Sequence, residues 1–178
     1  MRSGFVLCFH YLKDWGRSGN EMETDMDGVE KLLAIEEIKL VKARRCRAVD
    51  DKDWDLYRDC HTPDAKSYAL GSDADPIIGN ENMTESVRRA TAGRTTVHHV
   101  HTPEIEILTD TTAKGFWAME DILWWEEDGV GKCIHGYGRY FETYEKHRGR
   151  WLISSRRLAR SRIDSGASEL PDVRTAKI

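Results

Sequence analysis

An α+β domain, with helices packed on one face of a curved antiparallel sheet, is the fold the sequence predicts. Amphipathic helical spacing fills the first half of the domain. The apolar period then changes near residue 94, and three polar turn segments divide the remainder into four strands. Helices first and strands afterwards is the order of an α+β domain rather than of alternating βαβ units. The 178 residues, 39% of them hydrophobic, suit one core.

Residues 1–27 mix glycine, acidic and aromatic residues without a sustained period and read as an N-terminal extension. Its apolar run, Phe5 to Leu12, is far shorter than the roughly 20 residues of a spanning helix, and no small-residue cleavage site follows it. The domain is expected over 28–164. Asp27-Gly-Val-Glu30 has the form of a capping box. Beyond it Val29, Leu32, Leu33, Ile35, Ile38, Val41, Cys46 and Val49 recur at helical spacings, with Glu36, Lys39, Lys42 and Arg45 assigned to the opposite side. One long helix ending near Asp50 follows from that pattern, then a short helix over Asp53–Tyr57 capped by Asp53.

A strand is expected over Ala65–Leu70, then a loop through Pro76. Asn80 is the expected cap of a third helix carrying Met83, Val87 and Ala90 and stopped by Gly93. Thr95–Ile107, Thr112–Trp125, Lys132–Tyr144 and Arg150–Ile163 are rich in β-branched and aromatic residues and read as a four-strand meander. Residues 165–178 read as a second tail.

A net charge of −4 with no basic arm gives no electrostatic reason to expect nucleic acid, and no segment suits a membrane. Cys8, Cys46, Cys60 and Cys133 lie far apart without zinc-ligand spacing, as reduced thiols of a cytoplasmic protein would. Small molecules are the expected partners.

The chemistry-bearing cluster is His98, His99 and His101. Strand alternation puts His99 and His101 on one face and His98 on the other. His99 and His101 could ligate a metal, and with Gly93 and Glu106 they reproduce a spacing that resembles the first motif of the cupin barrels. Against this, a second motif is missing, and Glu106 stands an odd number of residues from His101. Exposed or interface histidines are the plainer reading. His98 instead suits a general base, with Asp50 as an orienting carboxylate, because a neutral imidazole removes protons near neutral pH. Sequence spacing does not establish that the two meet.

The run Lys42 to Asp55, then Thr96-Val-His-His-Val-His-Thr-Pro-Glu-Ile-Glu-Ile107, Trp117-Ala-Met-Glu-Asp121 and Gly136-Tyr-Gly-Arg-Tyr140, resembles the SnoaL-like group of the nuclear transport factor 2-like superfamily, over residues 29–164. The resemblance implies a cone-shaped sheet wrapped around the helices and enclosing a pocket. It also implies an Asp50–His98 pair that abstracts a proton without a cofactor. Scytalone dehydratase, the similar family, carries a tyrosine and a second histidine where Val49 and Trp117 stand here, so scytalone itself is not the expected substrate.

Strand parity would place Trp117, Met119, Asp121, Gly138 and Tyr140 towards the pocket. Tyr140 would donate to a developing oxyanion, and the aromatic lining favours a cyclic, aromatic or steroid-like substrate. Core packing explains Trp117 and Met119 equally well, and Asp121 could act as an acid or base or pair with an arginine. Tyr68 and His61 are weaker candidates. Arg156, Arg157, Arg160 and Arg162 read as a solvated or subunit-contacting face, with an anion site as the minority reading.

The expected function is that of a cofactor-independent lyase or isomerase, most often a dehydratase, in a homodimer or homotrimer. The alternatives are a non-catalytic hydrophobic-ligand-binding or oxygenase-associated subunit and, further off, a metal-dependent cupin-like enzyme.

Overall fold

The computed structural model describes residues 24–68 and 75–167. Expectations for Phe5–Leu12, Cys8 and the residues after 167 therefore lie outside the described residues. Helix α1, Gly28–Asp51, opens with the expected capping box. The Asp27 carboxylate accepts from the N–H groups of Val29 and Glu30, each at 2.8 Å, and the Glu30 carboxylate accepts the Asp27 N–H at 2.9 Å. The helix ends where Lys52 turns left-handed, at φ 61°. Helix α2, Trp54–Asp59, follows at once because Asp53 accepts the Leu56 N–H at 3.0 Å.

Strand β1, His61–Tyr68, starts four residues before the expected position. After β2, Ile77–Ile78, comes α3, Asn80–Ala90, whose cap position is Gly79 and carries no side-chain cap bond. Asn80 is the first helical residue instead, and its amide reaches the Arg58 carbonyl at 3.5 Å. Four long strands complete the domain: β3 Thr95–Thr109, β4 Thr112–Glu127, β5 Val130–His147 and β6 Arg150–Ala167. The last runs three residues beyond the expected domain end.

The strands form one sheet in the order β2-β1-β6-β5-β4-β3. β3 to β6 make the expected antiparallel meander, whereas β1 pairs parallel to β6, so the sheet is mixed. It is also unclosed, with β2 and β3 as its edges. Register shifts at Val100/Pro103, Tyr137/Gly138 and Thr143/Tyr144 interrupt the pairing, and such irregularities add local twist and bend to long strands. The result is a curved sheet with α1 against β3 and β6 on its inner side.

Ile38, Val41, Trp117, Tyr140, Tyr144, Ile153 and Leu158 form the main core. A second cluster, Ala48, Val49, Tyr57, Ala65 and Met83, ties the end of α1 to α2, α3 and β1.

The face that α1 buries differs from the expected one. Val29, Leu32 and Leu33 are exposed, while Ala34, Ile38, Val41, Lys42, Arg45, Cys46, Ala48 and Val49 are buried. Lys42 and Arg45, assigned to the outer side from sequence, thus point inward. No helix among the described residues is long and apolar enough to cross a membrane.

The capping box yields a stability expectation. Asp27→Ala removes the acceptor for two helix-end donors and should cost about 0.5–2 kcal/mol in urea unfolding, with the m-value unchanged.

Candidate active site

Asp50 closes the last turn of α1 and His98 stands near the start of β3, on the inner face. Packing of the helix on β3 brings them together. The His98 Nδ1 lies 2.7 Å from Asp50 Oδ1, and the His98 backbone N–H donates to Oδ2 at 2.9 Å. The Thr96 hydroxyl donates to Oδ1 at 2.9 Å and itself accepts from the Lys52 ammonium at 2.9 Å. Three donors hold the carboxylate, so its orientation towards the imidazole is fixed. With Nδ1–H donating to Asp50, Nε2 carries the free lone pair.

Protonation follows from the surroundings. Burial, which leaves the His98 side chain 10% exposed, pushes the imidazole below its ordinary 6.5; the Asp50 hydrogen bond opposes this and the Arg45 charge adds to it. His98 is therefore neutral at neutral pH. Half-burial of Asp50 would raise its pKa, but the hydrogen bonds from His98 and Thr96 outweigh that and hold the carboxyl below the usual range.

The wall beside the pair is set by register. Asp121 on β4 stands directly across from His98, and Arg160 grips it through two bonds, Nη1–Oδ1 at 2.7 Å and Nη2–Oδ2 at 2.5 Å. Asp121 is thus an arginine partner in this structure. Gly136 is what makes room for the pair, since a Cβ there would overlap both the Arg160 guanidinium and the Asp121 carboxylate. Arg160 also points a nitrogen at the Met119 sulfur, 3.8 Å away.

Trp117, Met119 and Tyr140 share the inner face, as parity predicts, and all three lie within the main core. The Trp117 indole N–H donates to the Tyr144 hydroxyl at 2.8 Å, and that hydroxyl donates to Glu142 at 2.6 Å. Glu142 accepts from Lys42 at 2.5 Å, with both side chains fully buried. The Trp117 nitrogen is therefore committed to an internal chain of polar groups. Burial pushes the Lys42 ammonium down to about 8 even though Glu142 opposes the shift.

The Lys42 nitrogen also sits 3.7 Å from the centre of the Tyr140 ring. Arg45 and Arg156 flank the same ring at 5.6 and 5.1 Å. Burial raises the pKa of the Tyr140 hydroxyl, which keeps it a proton-bearing donor.

The remaining candidates fall elsewhere. His99 and His101 are exposed on the outer face, where their ring nitrogens lie 3.7 and 3.5 Å from Glu120. His135 reaches the same carboxylate at 2.9 Å and holds it below the usual range. The register shift between Val100 and Pro103 inserts an extra residue, so Glu106 shares the outer face with His101, contrary to simple alternation. Its carboxylate bonds Lys114 at 2.9 Å rather than turning to the histidines. Among the described residues no group of three or more His, Cys, Asp or Glu is arranged to hold a metal.

His61 is buried with Nδ1 bonded to the Tyr57 carbonyl at 2.8 Å, and Tyr68 stacks beneath Arg157, its ring centre 4.8 Å from the guanidinium. The surface cleft of about 610 Å³ between α3 and β2 is lined by neither His98, Asp50 nor Tyr140.

The arginine run of β6, read from sequence as a solvated or subunit-contacting face with an anion site as the minority reading, is divided in the structure. Arg156 is instead buried and Arg160 turns inward to Asp121, whereas Arg162 is exposed and pairs with Asp164 at 2.7 Å. Lys42, Arg45 and Glu142 were missed altogether as interior groups. A signal for Arg45 was present: it continues the series Ala34, Ile38, Val41, whose steps of four and three trace one helix face.

A curved, unclosed mixed sheet cradling one long helix is the cone fold of the nuclear transport factor 2-like superfamily. Within it the chain belongs to the SnoaL-like domain family, whose model matches residues 30–157. Solved structures agree on the fold. A candidate scytalone dehydratase from Novosphingobium aromaticivorans superposes with a TM-score of 0.68 at 17% identity, over 78% of this chain and 91% of that one. The hexachlorocyclohexane dehydrochlorinase LinA-type3 from Novosphingobium barchaimii gives 0.67 at 15%, over 79% and 94%. A protein of unknown function from Mycobacterium tuberculosis gives 0.61 at 23%, over 74% and 78%.

Two outcomes are expected. Glu142→Leu leaves a buried ammonium unpaired and should cost about 3–5 kcal/mol in chemical denaturation, most of it recovered in the Lys42→Met/Glu142→Leu double variant. In a proton NMR titration the His98 imidazole should protonate below pH 6.5, and lower still in Asp50→Asn, which removes the group that raises it. Because the folded value is depressed, the His98 contribution to stability is present above pH 6.5 and is lost as pH falls through the folded value.

Proposed function

We propose that this protein is a cofactor-independent lyase or isomerase in which His98 is the general base and Asp50 its orienting partner. The observation that carries the reading is the grip of one carboxylate on both the Nδ1 and the backbone N–H of His98, which leaves the Nε2 lone pair for the substrate.

Nε2 takes a proton from a carbon of the substrate, and the Asp50 charge stabilises the imidazolium that forms. The electron pair of the broken C–H bond becomes a C=C bond as a β-hydroxyl leaves, and His98 returns its proton to that oxygen to release water. Dehydration is the preferred outcome, and isomerisation differs only in where the proton is returned. Tyr140, protonated and on the inner face, is the proposed donor to a developing oxyanion. The aromatic side chains around it favour a cyclic or aromatic substrate. The dehydratase and dehydrochlorinase descriptions of the structural neighbours, both eliminations, support the class of reaction.

A panel of hydroxylated aromatic, alicyclic and steroid compounds, screened by mass spectrometry for loss of water or by NMR for isomerisation, tests the proposal. His98→Gln should lower turnover of an active compound by about 10²–10⁴-fold with the circular dichroism spectrum unchanged. In the parent protein kcat/KM should rise with pH through an ionisation below 6.5 and stay level at neutral pH. Turnover that survives His98→Gln would refute the base assignment, and ligand binding without turnover would favour a carrier.

A further inference from the structure

Several polar atoms inside the domain have no protein partner, and they fall together. Arg45 on α1 is 2% exposed and Arg156 on β6 is 9% exposed. The Nε and Nη1 of Arg45, the Nε of Arg156 and the Tyr57 hydroxyl are all buried with no hydrogen bond among the described residues. These groups are contiguous. Arg45 lies 5.3 Å from the Tyr57 ring centre, and the two arginines flank Tyr140.

Buried donors are ordinarily satisfied, and an arginine without a counter-charge is among the costliest groups to enclose. The carboxylates that could answer them are taken. Glu142 holds Lys42 and Tyr144, Asp121 holds Arg160, and Asp50 holds His98 and Thr96. His61, packed against Tyr57 at 4.7 Å between ring centres, is kept neutral by its burial and by the nearby arginines, so it supplies no negative charge.

We infer that Arg45 and Arg156 form an anion site for the substrate, and that the molecule His98 acts on carries a carboxylate. This rests on the lyase or isomerase reading for its location: both arginines flank the ring of Tyr140, the proposed oxyanion donor, and Arg45 stands on α1 five residues before Asp50. A carboxylate fits better than a free inorganic ion. Guanidinium forks match its planar oxygens, and the rings of Tyr57 and Tyr140 offer an apolar wall for the cyclic body attached to it. The guanidinium carbons lie 5.6 and 5.1 Å from the Tyr140 ring centre, and the Nε of each arginine, without a protein partner, is the donor offered to the ligand. Once the anion is seated, the reacting carbon is tethered instead of free to tumble, which is the orientation that acid–base catalysis needs.

Isothermal titration calorimetry on the full chain at pH 7 tests this with benzoate, salicylate and cyclohexanecarboxylate, each against its uncharged amide. One or more of the carboxylates should bind at one per chain, at least tenfold tighter than its amide. Arg45→Met and Arg156→Met should each weaken that binding by tenfold or more. Arg45→Lys, which keeps the charge and loses the fork, should fall between and guards against misfolding of the methionine variants.

His98→Gln should bind the carboxylate as the parent does, so loss of the base assignment and loss of the anion site are separately visible. The inference is overturned if no carboxylate outbinds its amide, or if the folded arginine variants bind as well as the parent.

Discussion

A fully buried ion pair, Lys42 on the long helix to Glu142 on β5, sets the geometry of this interior. Neither charge can be left alone in the core, because removing one partner strands the other without water. Helix and sheet must therefore dock so that the two meet, and that requirement fixes the rotation of the helix about its axis. Everything downstream on α1 is then placed: Arg45 one turn later comes over the Tyr140 ring, and Asp50, about 12 Å along the axis from Lys42, arrives at the start of β3. The position of the Asp50–His98 pair is a consequence of that docking.

The inner surface is unusual for a small core in being both apolar and charged. Ile38, Val41, Trp117 and Ile153 supply the packing, yet Lys42, Arg45, Glu142, Asp121 and Arg156 are buried among them. Three of those five are satisfied by protein partners, and the two arginines at Tyr140 are not. Such an interior gives up stability that a wholly apolar core would have kept, and it gains strong fields in a place that excludes water. The outer face shows the contrast. His99, His101 and His135 crowd one carboxylate there, on a face where solvent screens the charges.

Much of the fold was legible. The capping box at Asp27, the Asp53 cap and the four-strand meander are local or periodic features, and local chemistry decides them. Alternation along β3 and β4 also separated His98 from His99 and grouped Trp117, Met119 and Asp121 on one face. It failed at Glu106, because a single extra residue near Pro103 reverses inside and outside, and such an irregularity leaves no reliable mark in the sequence. Lys42, Arg45 and Arg156 were misplaced for a different reason. Charged residues are ordinarily assigned to solvent, and only a partner or ligand distant in the chain makes their burial tolerable.

The sequence by itself determined the order of the long elements, the capped starts of α1 and α2 and which side of β3 each histidine takes, since these depend on backbone geometry and neighbours a few residues away. Tertiary structure alone decided that Asp50 meets His98 across 48 residues, that Lys42 meets Glu142 across 100, and that β1 joins the sheet parallel to β6. Those outcomes depend on how a helix sits in a curved sheet. That is settled by the summed burial of apolar surface and the need to pair every enclosed charge, quantities that no stretch of chain carries on its own.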